Sequence, residues 1–328
     1  MKKLALLLAT LIVLSCSKNE PEDLFKNYLT VDYDVDFYAA NRNNQIEFND
    51  LTITSTNDVY LLLDDRTNSK ALLSKVSSNG AKSEVLNNLR GFLGNGINIT
   101  STLNDKLFFN SDGADNRNKI FSYDNIQLNS YVMIDNGPNY INKAQNTAMS
   151  RYSNNSIVVF DNNNKTLKFY LPENNLESTI AGSGNASVVD GNGLSASFKS
   201  ISKIVCRDNK IYVIDDYTNL RKIEFINNAY KVTTLVSNYN STIEDIAIDS
   251  NNDIYASVNG QGILKLNNTT NTFESFKTGS VNTITPDKTK TGFISWSNGV
   301  TGMYINENDL YILNGVRLIK ISNFKSKI

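Results

Sequence analysis

The sequence predicts an all-β fold made of six successive copies of one unit. In each unit, an apolar run is followed by a turn rich in Asn and Asp and then by a second apolar run of β-branched and aromatic residues, which is the pattern of a β-hairpin. Equivalent positions in the second runs recur at steps of 43 to 56 residues, at Tyr60, Phe108, Val158, Tyr212, Tyr255 and Tyr311. A period of this size with variable loops is typical of the blades of a β-propeller. We therefore expect one domain of six blades over residues 29–328.

The two runs of each hairpin can be placed in chain order. They cover residues 51–54 and 59–63, 99–103 and 107–109, 148–152 and 157–160, 201–205 and 211–214, 246–249 and 254–256, and 302–305 and 310–313. Asn and Asp between the runs suit tight turns, because they tolerate left-handed backbone and bond their own main chain. Asp or Asn also follows the second run of most units, which predicts a second turn and a third strand.

The N-terminal segment is expected to complete the last blade. Apolar residues alternate with Asp over residues 29–38, which predicts a strand with one exposed face. The last unit has only four residues after its third strand, so it lacks an outer strand of its own. Pairing of the N-terminal strand with this blade would remove an open sheet edge and close the ring. The alternative is a free N-terminal hairpin.

The fourth unit, residues 179–223, carries the most specific motif in the chain. Matching positions are Ala181, Gly182, Gly184, Asp190, Gly191, Gly193, Ala196 and Phe198 in a glycine-rich loop, and Tyr212, Val213, Asp215, Asn219 and Arg221 after it. This unit resembles an NHL repeat, a blade of a six-bladed propeller. It departs from that family at Ile201, where Pro is usual, at Lys203, where Gly is usual, and at Ser187, where the middle glycine is missing. The alternative is a chance glycine-rich loop between two strands.

The N-terminus predicts a lipid-anchored protein. Residues 1–15 have a basic start and a short apolar core, as in a signal peptide, and the ending before Cys16 resembles a bacterial lipobox. We expect lipidation of Cys16, a tether over residues 16–28 and attachment to the outer membrane of the cell envelope through the lipid only. Acidic residues after Cys16 loosely resemble the surface-export signal of Bacteroidota lipoproteins, so the surface and periplasmic faces both stay open. Ordinary secretion is the alternative.

The composition excludes several classes of function. A net charge of −1 gives no electrostatic footprint for nucleic acid. The chain has no histidine, so Ser-His-Asp and Cys-His catalysis and His-ligated metal sites are excluded. Some propellers related to the NHL family are lyases or lactonases that use histidine, and this chain cannot copy their sites. With Cys16 lipidated, Cys206 has no disulfide partner, and we expect it to be buried filler.

Acidic turns and one tryptophan are the candidate site. Asp residues follow the second strand of several blades, where they would share one rim; they could bind Ca²⁺, form a glycosidase pair, or simply cap their own turns. Trp296, the only tryptophan, precedes the last blade and is expected either to stack a ligand at that rim or to be wedged between blades. The candidate ligand-binding residues are Trp296, Asp215, Asp216, Tyr217, Arg66, Arg117, Arg317 and Asp112.

The sequence therefore favours an envelope binding or scaffold protein without chemistry of its own. One propeller face, made of the second turns and of the loops over residues 182–198 and 278–301, would recognise a glycan or a protein partner. No catalytic residue, resident metal or cofactor is assigned, although Ca²⁺ would suit the acidic turns. The alternative is a hydrolase or lyase that acts on carbohydrates or esters with acidic residues, and a structural spacer is a third option.

Overall fold

The computed structural model describes residues 24–37, 46–65, 70–86, 96–101, 105–111, 119–123, 128–132, 148–152, 156–171, 174 and 176–328. Nearly all regular structure in these ranges is β, as the sequence predicts. The described strands form seven sheets, accompanied by two single-turn helices, α1 (Trp296–Gly299) and α2 (Phe324–Lys327), and a 3₁₀ turn at Gly193–Ser195.

The first three sheets have four strands each, and every strand pairs antiparallel with the next along the chain. Sheet 1 holds β3 (Ile46–Ile53), β4 (Val59–Asp65), β5 (Lys70–Val76) and β6 (Lys82–Leu86). Sheet 2 holds β7 (Gly96–Ser101), β8 (Leu107–Ser111), β9 (Lys119–Tyr123) and β10 (Leu128–Val132). Sheet 3 holds β11 (Met149–Arg151), β12 (Ile157–Asp161), β13 (Thr166–Leu171) and β14 (Leu176–Ala181).

Sheets 4 to 6 repeat this order with additions. Sheet 4 holds β16 (Ile201–Arg207), β17 (Lys210–Asp215), β18 (Asn219–Ile226) and β19 (Ala229–Val236), and the short β15 (Gly191–Asn192) pairs with β19. Sheet 5 holds β20 (Ile243–Ile248), β21 (Ile254–Val258), β22 (Gly262–Asn267) and β23 (Thr272–Lys277). Sheet 6 holds β26 (Val300–Asn306), β27 (Asp309–Asn314) and β28 (Arg317–Ile321).

The N-terminal segment forms two short strands, not the single strand predicted over residues 29–38. β1 (Leu29–Thr30) runs parallel to β24 (Ser280–Ile284), and β2 (Tyr33–Asp36) runs antiparallel to β28 as the fourth strand of sheet 6. The predicted exposed face is also wrong at Asp34, which is 4% exposed because Arg317 pairs with its carboxylate.

Residues 278–301 were predicted to be a loop, and this prediction is wrong. They contain the hairpin of β24 and β25 (Thr291–Ser295) followed by α1. With β1 this hairpin forms a seventh, three-stranded sheet beside sheet 6. Its sequence lacks the long apolar runs of the other hairpins, so the periodic pattern did not reveal it.

The first strands of the six sheets contact one another in chain order. β3 contacts β7, β7 contacts β11, β11 contacts β16, β16 contacts β20, β20 contacts β26, and β26 contacts β3 again. Large apolar clusters lie between neighbouring sheets. Phe160 of sheet 3 and Phe198 of the glycine-rich loop meet edge to face at 6.2 Å in one of them, and Ala196 is fully buried beside them. The pair thus fills the space between sheets 3 and 4, as the repeat pattern predicts.

Two faces follow from this arrangement. The first-turn face carries the turns between the first and second strands of each sheet, and the turn between β18 and β19 lies on it because Lys210 and Glu224 are paired neighbours. The second-turn face carries the turns between the second and third strands, and the glycine-rich loop of residues 182–198 lies there. The predicted site was on the second-turn face.

Candidate functional site

A central cavity of about 320 Å³ lies between the six first strands and touches every one of them. Its wall begins in the middle of these strands, at Asp50 and Lys203, and runs towards the first-turn face, where it ends at Tyr152 and Asp208. The sequence did not reveal this cavity, because its wall is made of short stretches from six separate repeats.

β-Bulges set the residues at the inner end of the cavity. The register of the first strand shifts between Phe48 and Asp50 in sheet 1, between Ile201 and Lys203 in sheet 4, and between Ile243 and Asp245 in sheet 5. A bulge leaves one residue unpaired and re-aims the side chains that follow it. Three charged side chains, Asp50, Lys203 and Asp245, stand at the same position of three sheets for this reason.

These three side chains form one ionic cluster, which we call the central cluster. Lys203 Nζ lies 2.9 Å from Asp50 Oδ1 and 3.3 Å from Asp245 Oδ1. Both carboxylates are buried, and Lys203 keeps 19% of its side chain exposed. Lys203 therefore connects sheet 4 to sheets 1 and 5 at the inner end of the cavity.

The same carboxylates also satisfy backbone donors of the next sheet. The N–H of Ile99 donates to Asp50 Oδ2 at 3.1 Å, and the N–H of Met303 donates to Asp245 Oδ2 at 2.8 Å. The first strand of each sheet is an edge strand, so its inward N–H groups have no neighbouring strand to bond. Each Asp supplies the missing acceptor and ties its sheet to the next one.

The central cluster changes how its members bind protons. Burial opposes the charge of Lys203, but Asp245 and Asp50 outweigh it and raise the pKa of the ammonium. Burial raises the pKa of Asp245 to about 6, against the attraction of Lys203, and the negative charge of Asp50 adds to the rise. Lys203 therefore stays charged at neutral pH, and Asp245 becomes protonated in mild acid.

The wall nearer the first-turn face is polar and partly exposed. Arg151 and Arg207 are half-buried and line the cavity, and Asp208 at its mouth is exposed. Thr100 and Arg151 join sheets 2 and 3, since the N–H of Arg151 donates to Thr100 Oγ1 at 3.0 Å. Cys206 is half-buried in the same wall, not enclosed in the core as predicted. Burial raises the pKa of its thiol to about 12, so it is not a thiolate at neutral pH.

The predicted acidic turn of sheet 4 is engaged within the fold. Asp215 has no exposed surface; Oδ1 accepts the N–H groups of Lys199 and Ser200 at 3.0 and 2.9 Å, and Oδ2 accepts Arg221 Nη1 at 2.8 Å. These bonds match the turn-capping alternative that the sequence left open. Asp216 pairs with Lys199 at 2.7 Å, and Tyr217 is 44% exposed, so these two face solvent on the second-turn face.

Arg221 holds the glycine-rich loop in place. It is fully buried and donates to the carbonyl oxygens of Ser197 at 2.6 Å and Val189 at 2.8 Å, and to Asp190 Oδ1 at 3.1 Å. The N–H of Thr234 donates to Asp190 Oδ2 at 2.9 Å, which fixes the loop on β19. The polar residues of the motif thus stabilise the repeat itself.

Trp296 does not provide an exposed stacking surface. It is 1% exposed at the start of α1 and packs in an apolar cluster with residues of sheets 5 and 6, so the wedged alternative describes it. Arg317 is also engaged: Nε donates to Asp34 Oδ1 at 2.8 Å and Nη1 to the carbonyl oxygen of Phe293 at 2.6 Å. Neither residue is placed at the central cavity.

Four predicted residues lie outside the part of the chain that the structure describes: Arg66, Arg117, Asp112 and the lipidation site Cys16. Among the described residues, no group of three or more His, Cys, Asp or Glu side chains is placed to hold a metal ion. The described helices include none that is long and apolar enough to cross a membrane.

Solved structures contain similar chains. Virginiamycin B lyase from Staphylococcus aureus is 11% identical, with a TM-score of 0.53, and the match covers 85% of this chain and 99% of the lyase. PorZ, a surface component of the type-IX secretion system of Porphyromonas gingivalis, is 13% identical, with a TM-score of 0.50 over 84% of this chain and 46% of PorZ. An extracellular domain from B. thetaiotaomicron is 11% identical, with a TM-score of 0.52 over 89% of this chain and 40% of that chain.

This protein is a β-propeller. Identities of 11–13% show the fold of the propeller and nothing about its ligand. No protein-family model matches the chain, and no curated protein matches its sequence.

Proposed function

We propose that the protein is a six-bladed propeller of NHL type whose ring is closed by the N-terminal strand. Six sheets, a circular order of contacts among their first strands, and β2 on the outer edge of sheet 6 support this arrangement. The glycine-rich loop, with Ala196 and Phe198 buried between sheets and Arg221 bonded to it, supports the NHL type.

We also propose that it is a lipid-anchored protein of the outer membrane that binds a glycan or another envelope protein. The anchor rests on the sequence around Cys16, and its lipid holds the propeller at the surface or on the periplasmic side. No nucleic acid is expected as a partner, because the chain is electrically balanced.

The central cavity on the first-turn face carries the binding proposal. Its volume of about 320 Å³ is that of a small ligand site, and all six sheets contribute to its wall. Both carboxylates at its inner end are already bonded to Lys203 and to backbone N–H groups. These two carboxylates therefore stabilise the fold. Arg151 and Arg207 are partly exposed in the cavity wall and can bind a ligand. The proposed binding face is therefore the first-turn face, whereas the sequence favoured the second-turn face.

A hydrolase or lyase is the second candidate function, and one observation favours it. The Asp245 carboxyl has a pKa of about 6, which is suited to a general acid, and Asp50 is a second carboxylate beside it. Asp245→Asn would abolish such an activity, whereas a binding protein would keep its affinity. In such an enzyme, Ca²⁺ would act through oxygen ligands of the turns.

The experiment compares the two faces in the full chain. Binding of defined oligosaccharides and of envelope proteins is measured for the unmodified protein, Arg207→Ala and Tyr217→Ala. We expect Arg207→Ala to weaken binding about tenfold and Tyr217→Ala, at the second-turn face, to leave it unchanged. Loss of binding in Tyr217→Ala alone would contradict the proposed face.

A further inference from the structure

An aromatic groove lies on the first-turn face, where Tyr152, Phe169 and Tyr230 pack against the apolar cluster between sheets 3 and 4 and remain partly exposed. Four rings follow one another across sheets 3 and 4: Tyr152 lies 4.5 Å from Phe169, Phe169 lies 5.5 Å from Tyr230, and Tyr230 lies 4.9 Å from Phe225. Phe225 at the far end is 55% exposed, and its neighbour Ile226 is 41% exposed. The row of aromatic side chains thus begins at Tyr152 in the wall of the central cavity and ends at the exposed side chain of Phe225.

The groove beside these rings is a separate hollow of about 370 Å³. Tyr152, Phe225 and Tyr230 line it together with the charged side chains of Asp208, Lys210 and Glu224. Tyr152 and Asp208 also line the central cavity, so the two hollows share a wall. The Tyr152 hydroxyl donates to the carbonyl oxygen of Asn209 at 3.3 Å, so this wall joins sheet 3 to sheet 4 between the groove and the cavity.

We propose that this groove binds a neutral oligosaccharide chain whose end enters the central cavity; the inference rests on the proposed binding function and names its ligand class. Sugar rings present apolar C–H faces and polar hydroxyl edges, which is the combination that aromatic rings and hydrogen-bonding side chains recognise together.

The charges of the groove favour a neutral ligand. Lys210 is positive and Asp208 and Glu224 are negative, and Lys222 beside Glu224 offsets the excess negative charge. Glu224 is already paired with Lys222 at 2.7 Å, and Asp208 accepts a hydrogen bond from Asn252 Nδ2 at 2.9 Å. These groups can still exchange hydrogen bonds with hydroxyls, but they offer no concentrated field for an anion or a cation.

The size of the groove argues against a globular protein as its occupant. A stable protein interface takes roughly 20–30 residues on each side. The groove is lined by seven residues. It is concave and shares the wall residues Tyr152 and Asp208 with the central cavity, which suits a narrow chain that lies along the surface.

The test is isothermal titration of the full chain with cellohexaose, xylohexaose, mannohexaose and maltohexaose. We expect at least one of these to bind, and Phe225→Ala and Tyr230→Ala each to weaken it about tenfold, since exposed aromatic anchors dominate binding. Phe225→Trp keeps a stacking ring and should retain the affinity. Phe293→Ala is the matched control, because Phe293 is 46% exposed in β25, away from the groove, and should change nothing.

The outcomes separate this inference from the proposed function. Binding that is lost in Arg207→Ala but unchanged in Phe225→Ala and Tyr230→Ala would contradict binding in the groove and support binding in the central cavity. If a purified envelope protein binds, no hexasaccharide binds, and Arg207→Ala abolishes the binding, the oligosaccharide is not the ligand, but the first-turn face is still the binding face. Binding that is lost only in Tyr217→Ala, or no binding of any ligand, overturns both. The emission of Trp296, the only tryptophan of the chain, reports whether each alanine variant is folded, and circular dichroism reports it for Phe225→Trp.

Discussion

Lys203 Nζ lies 2.9 Å from Asp50 Oδ1, although 153 residues separate them in the chain. The contact joins sheet 4 to sheet 1, and the same ammonium reaches Asp245 of sheet 5 at 3.3 Å. One side chain at the inner end of the central cavity thus holds the consecutive sheets 4 and 5 to the distant sheet 1.

Replacement of Lys203 by Met should destabilise the fold strongly. The change leaves Asp50 and Asp245 buried without their cation, and breaking a buried pair in this way costs about 3–5 kcal/mol. Denaturant unfolding of the full chain measures the loss. Lys199→Met is the matched control: its pair with Asp216 is on the surface, so its cost should stay below about 1 kcal/mol. Equal effects of the two variants would contradict a stabilising role of the central cluster.

The pH dependence of stability should carry the signature of Asp245. Its pKa is about 6 in the folded protein and 3.8 in the reference state, so the folded protein binds this proton more tightly. The contribution of Asp245 to the free energy of unfolding is therefore largest below about pH 4, and it is lost as the pH rises from about 4 to 6.

The measurement compares the unmodified protein with Asp245→Asn, which cannot titrate, at pH 4.5 and 7. The difference in unfolding free energy between them should be more favourable to the unmodified protein at the lower pH. A difference that is constant, or that grows in favour of the unmodified protein as the pH rises, would show that Asp245 does not titrate in the fold as described.

Arg221→Lys should be far from conservative. Lysine keeps the charge but cannot reach the carbonyl oxygens of Ser197 and Val189 and both Asp190 and Asp215 at once, because it lacks the planar fork. We expect a loss of about 3 kcal/mol in stability and faster proteolysis within residues 182–198. Lys222→Arg, next along the strand and partly exposed, is the control and should behave like the unmodified protein. Unchanged protease resistance in Arg221→Lys would mean that this guanidinium does not hold the loop.

Trp296→Ala should reduce stability and leave ligand binding unchanged at temperatures where the variant is folded. The indole is buried between sheets 5 and 6, and truncation of a buried Trp costs about 3–5 kcal/mol. Thermal unfolding followed by circular dichroism measures the loss, and titration with the oligosaccharide panel measures the binding. Lost affinity in a folded Trp296→Ala protein would show that Trp296 takes part in ligand binding.

Much of the fold could be predicted from the sequence, because each hairpin brings its own local signal. Apolar runs and Asn- or Asp-rich turns predicted the first two strands of the units, and the glycine-rich loop predicted the burial of Ala196 and Phe198. The hairpin of β24 and β25 was missed, and β1 was not separated from β2, since its pairing with β24 joins segments that are far apart in the chain. Asp34 was placed on an exposed face because its partner Arg317 lies at the other end of the chain.

The candidate site could not be predicted in the same way. The central cavity draws its wall from six repeats, and the aromatic groove joins Tyr152 of sheet 3 to Phe225 of sheet 4 through contacts that leave no periodic signal. One hint was present: Lys203 stands where the NHL pattern usually has Gly. A charged residue at that position marks the central cluster. Trp296 and Asp215 drew attention through residue type, yet burial gives both a structural role.

Hydrogen–deuterium exchange of the full chain, with and without the tightest ligand of the oligosaccharide and envelope-protein screens, tests whether the protein binds its ligand at the central cavity on the first-turn face. We predict that the ligand slows exchange in residues 149–152 and 203–208, which line the cavity and its mouth. Slowed exchange confined to residues 182–198 and 215–219, on the second-turn face, would contradict it.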